Sequence, residues 1–406
     1  MKATILALLY AAGAANAATI SRDDATPLVF KRGSTCTPKA GGSESIDDVP
    51  AIQAAIASCP SGTIVIPSGT IYHINSVFSF AGCAGCTLQV EGTLKVTGDT
   101  DYWQGRKAIF LLDKIAGATV VSTTGSGLID GSGQAAWDRF ARDKTYRRPT
   151  LFYVSGSRDV VVDNMRLINA PNVFHSARDG SANVRYTRNT LSAVSSSGNP
   201  PKNTDGWDIG AASHVAVERS SVVNDDDCVA LKPGADYVTV TDITCTGSHG
   251  ISVGSLGGGA GKTDSVTNVY VSGATMVDST KAAGIKLYPG GSAHGTSVVR
   301  NVTFENFDVQ NTEYAFQIQS CYGEDQSYCD ANPSTAQLSQ VMAKGFRGAT
   351  AKKYAPTVAN INCPAAGSCG VSLSDFTVKP PSGTAKYLCS NTPSNLGVAC
   401  SGSASG

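Results

Sequence analysis

The sequence predicts an all-β protein, built as a parallel β-helix with a short N-terminal capping helix. Three observations predict it. Short β-branched runs recur at solenoid spacing, Gly, Asn and Asp punctuate those runs, and one amphipathic segment precedes them all. Of the 406 residues 41% are hydrophobic and 43 are Gly, which fits a globular chain and neither collagen nor a disordered tail. No linker-like shift in composition divides residues 33–406, so they read as one catalytic-sized domain.

The chain begins as a secreted one does. Lys2 precedes an apolar run over residues 3–12, and Ala15-Asn16-Ala17 offers the small-x-small pattern cut by signal peptidase, so residues 1–17 read as a signal peptide. Residues 18–32 end in Lys31-Arg32, a dibasic cut site, and read as a pro-peptide. The leader is too short to span a bilayer and no other stretch approaches twenty apolar residues, so no membrane partner is expected. Charged residues are 16%, with 32 basic against 32 acidic, leaving no field to hold a nucleic acid. Twelve cysteines, an even number, suit disulfides in an oxidising, extracellular setting.

Residues 47–58 place Val49, Ile52 and Ile56, with Ile46 before them, at three-to-four spacing, and Pro50 falls in the first turn. That predicts a helix covering an open sheet edge. After Cys59 the pattern turns to strands, among them residues 87–90, 160–162, 215–217, 238–240, 269–271 and 302–304. The markers Val160, Val184, Val215, Val238, Val269 and Val302 are separated by 24, 31, 23, 31 and 33 residues. Those unequal spacings predict coils with loops of different length. A sandwich predicts shorter spacing, and a propeller predicts blades of about 40 residues.

Three motifs stand in step along these coils: Asn203-Thr204-Asp205, Asp225-Asp226-Asp227-Cys228 and Ser248-His249-Gly250. Asp205 to Asp227 is 22 residues and Asp227 to His249 is again 22. A coil of that length stacks the three side chains on one face, roughly 4.8 Å apart. Neighbours on a strand point to opposite faces, so Asp226 joins them only if the chain bends there. Lys286 lies 37 residues past His249, and the Gly-rich stretch 254–261 is the expected loop. Taken singly, each motif reads as an ordinary polar turn; the repeated spacing makes a site.

Clustered carboxylates raise one another's pKa, so one keeps a proton and another stays ionised. A glycosidase needs that pair, one to protonate the leaving oxygen and one to activate water. A His and a Lys beside them point to an anionic sugar. Cys83-Ala-Gly-Cys86 lacks a redox setting and reads as a disulfide. The Gly254 loop lacks the Gly-Lys-Ser/Thr ending of a phosphate cradle, and the five histidines have no ligand spacing. No metal or cofactor is therefore expected. Asn301-Val302-Thr303 is a glycosylation sequon.

At these residues the sequence resembles the fungal polygalacturonases, glycoside hydrolase family 28. The resemblance runs from the helix near Asp47 to Cys400. It is carried by Gly127-Leu-Ile-Asp-Gly-Ser-Gly133, Asn203-Thr-Asp-Gly-Trp-Asp208, Asp226-Asp-Cys-Val-Ala230, Gly247-Ser-His-Gly250 and Ile285-Lys286. It implies a right-handed β-helix that cuts pectin with inversion and without cofactors. By the same resemblance Asp226 is the general acid, Asp205 and Asp227 activate the water and His249 tunes the acid. Lys286 binds the uronic carboxylate, Tyr322 lines the sugar site, and Asn203 and Lys232 join the substrate-binding set.

One position departs from the pattern. The family usually carries Arg-Ile-Lys where this chain has Gly284-Ile285-Lys286, so a cation is missing and space for a branch is expected. Residues 203–210, 281–290 and 317–325 look like the xylogalacturonan hydrolases of that family, which cut a xylose-branched galacturonan. The expectation is a monomeric, secreted enzyme on that polysaccharide. The alternatives are an endo- or exo-polygalacturonase on the unbranched chain, a calcium-requiring pectate lyase, and a non-catalytic carbohydrate-binding solenoid. The cysteines fit six bridges: Cys36–Cys59, Cys83–Cys86, Cys228–Cys245, Cys321–Cys329, Cys363–Cys369 and Cys389–Cys400.

Overall fold

The marker valines lie opposite one another on successive coils. Val160 pairs with Val184, Val184 with Val215, Val215 with Val238, Val238 with Val269 and Val269 with Val302. The ladder continues to Val341 and Val371. This is a computed structural model describing residues 33–406; the predicted signal peptide and pro-peptide lie outside the described residues. All strand pairs are parallel, in one sheet of 17 strands and one of 11, and the chain is a parallel β-helix.

A residue in the left-handed region precedes nearly every marker valine: Asp159, Asn183, His214, Tyr237, Asn268, Asn301 and Gln340. Asn and Asp tolerate that conformation better than most residues. Where they recur, their side chains also join coils. Asn183 Nδ2 donates to Asp159 Oδ1 at 3.1 Å, and Asn301 Nδ2 to Asn268 Oδ1 at 2.8 Å. Inside the coils, Phe307, Phe346 and Phe376 stack with ring centroids 4.5 and 5.0 Å apart, which matches the strand spacing.

The first helix spans Val49–Ser58 and buries Val49, Ile52, Ala55 and Ile56 against the first coils. Ile46 falls outside it and is 46% exposed, because the chain turns before the helix begins. The sequence expectation of a single helix also needs correction. Helices also occur at Thr100–Trp103, Gln134–Arg142 and Gln326–Ala331; the first and last are under two turns long, and the middle one buries only Ala136 and Trp137. Trp137 anchors the second of these through its indole N–H to the Ala170 carbonyl at 3.1 Å. All six expected disulfides are formed. Among the described residues no helix is long and apolar enough to cross a membrane.

The smaller sheet positions the candidate site. Its strands Trp207–Ile209, Val229–Leu231, Ile251–Leu256, Lys281–Leu287 and Tyr314–Gln319 lie side by side in chain order. Trp207 faces Val229 and Val229 faces Ile251, which makes both coil steps 22 residues, the spacing of the three motifs.

Candidate active site

Asp205, Asp227 and His249 each stand two residues before those aligned strand positions, so the register brings them to one edge of the sheet. The chain bends at Asp226, and the Asp226 carbonyl accepts the His249 amide at 2.7 Å. The bend lets Asp226 and Asp227 share the site. One oxygen from each of Asp205, Asp226 and Asp227 lies within 4.8 Å of the other two. The next coil step, Ile251 to Ala283, lengthens to 32 residues. Its extra chain is taken up by the turn after Leu256 and by a bulge at residues 254–256, whereas Gly254 itself remains in the strand.

Each carboxylate has a different set of partners. Asp227 is buried; both its oxygens accept from Lys286 Nζ at 2.8 Å, and Oδ1 also accepts from Ser252 Oγ at 2.8 Å. Asp226 is the most accessible of the three. His249 Nδ1 stands 3.2 Å from its Oδ1, and Asn203 Nδ2 donates to its Oδ2 at 3.0 Å. Asp205 is buried with no hydrogen bond to its side chain among the described residues, and Lys232 Nζ stands 3.7 Å away. Lys232 is equally near Asp208, at 3.6 Å.

These surroundings separate the proton affinities. Burial pushes Asp205 well above the usual carboxylate range, and the charges of Asp208 and Asp226 add to it against Lys232. Burial also pushes Asp226 up, but the hydrogen bond and charge of His249, the charge of Lys286 and the Asp227 amide outweigh it, so Asp226 is held below its ordinary value. Asp205 therefore holds a proton more tightly than Asp226 does. Lys286 and Lys232 are both raised: burial opposes their charge, and Asp227 for the one, Asp208 and Asp205 for the other, more than restore it.

Two expectations are altered by these contacts. Lys286 does not stand free in the resting protein, because both oxygens of Asp227 engage it. Its ammonium is 5.7 Å from the Tyr322 ring, which puts Tyr322 beside the site. Gly284 does not leave open space. A Cβ there would lie 2.4 Å from the Gln317 carbonyl oxygen and 2.9 Å from Lys281 Cδ, because the next coil crosses directly over it. The nearest oxygens of the three carboxylates, within 4.8 Å of one another, are closer than the roughly 6.5–9.5 Å carboxyl separation usual for inverting glycosidases.

Other residues join the site that carried weak sequence signals or none. Asp208 belongs to the Asn203–Asp208 motif, and Arg178 binds it at 2.8 Å. Arg148 reaches across from 55 residues away and donates to Asn203 Oδ1 at 2.8 Å and to the Lys202 carbonyl at 2.6 Å. Ser252 carried no sequence signal, since strict alternation from His249 would put it on the opposite face. Arg148 follows from nothing local, since only the coil geometry brings it there. Asn301 is on the other sheet, exposed and away from this cluster.

The family model of glycosyl hydrolases family 28 matches residues 58–400. The chain is 53% identical over 402 residues to endo-xylogalacturonan hydrolase A of Aspergillus tubingensis, covering 99% of this chain and 98% of that protein. It is 54% identical over 402 residues to the probable endo-xylogalacturonan hydrolase A of Aspergillus fumigatus, with the same coverage. The crystal structure of the Aspergillus tubingensis endo-xylogalacturonan hydrolase superposes with a TM-score of 0.91 at 55% identity, over 92% of this chain and all of that one. The stacked carboxylates thus sit in a glycosidase, and the chain belongs to glycosyl hydrolases family 28.

Proposed function

We propose that this chain is a secreted, monomeric pectinase that cleaves the α-1,4-galacturonan backbone of xylogalacturonan internally and with inversion. The observation that carries the substrate is the likeness to the Aspergillus tubingensis endo-xylogalacturonan hydrolase along nearly the whole of both chains.

The proton arrangement supports a cycle. Asp226, the accessible carboxyl, faces the glycosidic oxygen. Arrival of the anionic sugar and loss of water raise its proton affinity, and the proton passes to it from Asp205 within the cluster. Asp226 then protonates the leaving oxygen as the C1–O bond breaks. Asp205, now ionised, and Asp227 hold a water that attacks C1, and Asp205 takes the proton that water gives up. Turnover ends with Asp205 protonated and Asp226 ionised, which is the resting arrangement. His249 and Asn203 hold Asp226 in position, and Lys286 holds Asp227 through both oxygens.

Digesting xylose-branched and unbranched galacturonan side by side tests the substrate. Faster release of oligomers from the branched chain is expected; faster cleavage of the bare chain would instead indicate a polygalacturonase. Proton NMR of the first product should show the β-anomer, and an initial α-anomer would mean retention. An unsaturated product absorbing in the ultraviolet would indicate a lyase.

A further inference from the structure

The side chain lying over Gly284 belongs to Lys281, which opens the strand Lys281–Leu287 and is 4% exposed. Its stem runs where two glycines carry no side chain. A Cβ on Gly250 would lie 2.9 Å from its Cγ, and a Cβ on Gly284 would lie 2.9 Å from its Cδ and 3.1 Å from its Cε. The charged groups around its ammonium are Lys286 on its own strand and Asp227 and Asp226 on the bend before Val229. His249 precedes Gly250 on the adjoining turn. Tyr314, its partner on the next strand, is pushed up to about 12, first by burial and then by the charges of Tyr354 and Glu313, and stays neutral.

Lys281 has no counter-ion among the described residues. Asp227 is held through both oxygens by Lys286, and Asp226 by His249 and Asn203. A buried ammonium without a partner is costly, and burial together with the charge of Lys286 brings it down to about 7. The Lys281 stem thus occupies the space beside Gly284 where a side chain would begin.

We propose that Lys281 is a substrate-binding, specificity-determining residue whose ammonium receives the carboxylate of the galacturonate bound at the aspartate cluster. This rests on the reading of the substrate as a galacturonan. Lys286 is engaged by Asp227, and Lys232 by Asp205 and Asp208. Among these lysines Lys281 is therefore the one without a carboxylate partner in the described residues, able to tell a free uronic acid from its neutral methyl ester.

Lys281→Met keeps the stem and removes the charge. The test compares kcat/KM on de-esterified and methyl-esterified xylogalacturonan for both proteins from pH 4 to 8. Wild type should prefer the free acid, and that preference should fall as pH rises through about 7, where Lys281 loses its proton. In Lys281→Met the preference should drop by about tenfold to a hundredfold, as expected for one charged hydrogen bond. Its pH dependence near 7 should vanish, while the ester rate stays within a few-fold. A limb near 7 that persists in the variant overturns the proposal, as does an unchanged acid-to-ester ratio. If Lys281→Met melts far lower, Lys281→Gln is read in the same way. If wild type cleaves only the unbranched chain, the substrate reading fails, and the same ratio measured on polygalacturonan still decides the role of Lys281.

Discussion

Two stacks run along the same coils. On the larger sheet Val215, Val238, Val269 and Val302 follow in register, none more than 3% exposed. At the edge of the smaller sheet Asp205, Asp227 and His249 follow in register too. In the valine stack each member adds to the one below, because apolar surface leaves water at every coil. In the carboxylate stack each member costs, since like charges in a desolvated place oppose one another. Lys286 and Lys232, inserted from other positions, offset that cost. Repetition therefore suffices to build an apolar ladder, whereas a charged one depends on neighbours outside the repeat.

The largest effect that sharpens this contrast is Asp226→Asn. Loss of the proton donor should reduce kcat by about 10²–10⁴-fold, while the melting temperature falls only modestly, because Asn keeps the volume but loses the charge that His249 and Lys286 favour. Paired kinetics and thermal unfolding check it; a variant retaining a tenth of the wild-type rate would show that Asp226 is not the acid.

Two variants then break one stack each. Phe346→Ala opens the aromatic ladder and should cost about 3–5 kcal/mol in urea unfolding, with kcat of the folded protein preserved. Lys286→Met leaves Asp227 buried and unpaired and should cost about 3–5 kcal/mol as well, but with activity lost. Equal stability of Lys286→Met and wild type would mean that the Asp227 charge needs no partner.

Gly284→Arg is smaller. The side chain meets the Gln317 carbonyl and the Lys281 stem, so stability should fall by about 1–3 kcal/mol and activity on branched and bare galacturonan should fall together. A gain on the bare chain would restore the idea that Gly284 vacates a binding position.

The smallest effect is a slope with pH. Asp205 binds its proton more tightly folded than unfolded, so its contribution is complete below the unfolded value near 4 and is lost as pH rises. Asp226 is depressed, and its contribution is lost only as pH falls below that value. Above pH 4, Asp205→Asn should therefore flatten the pH dependence of the unfolding free energy, by no more than about 1.4 kcal/mol per pH unit. An unchanged slope would place the resting proton elsewhere.

Much of this was legible in the residues. The valine spacings revealed the coils because a parallel ladder demands that equivalent residues lie opposite. The doubled 22-residue interval revealed the edge shared by Asp205, Asp227 and His249 for the same reason. Two of the short helices were hidden because four and six residues make less than two turns, and Gln134–Arg142 because it offers only Ala136 and Trp137 to the core. Arg148 was hidden because nothing in its neighbourhood distinguishes it from its neighbours Arg147 and Lys144.

The sequence by itself determined which residues repeat, and hence the β-helix and the meeting of Asp205, Asp227 and His249, since register follows from periodicity. Only the tertiary structure decided what those residues face. That Lys286 serves Asp227, that Asp205 holds a proton more tightly than Asp226, and that the Lys281 stem lies over Gly284 all depend on burial and on which side chains the packed coils bring together. Burial and charge act over a few ångströms in space, and no spacing along the chain encodes which group arrives there first.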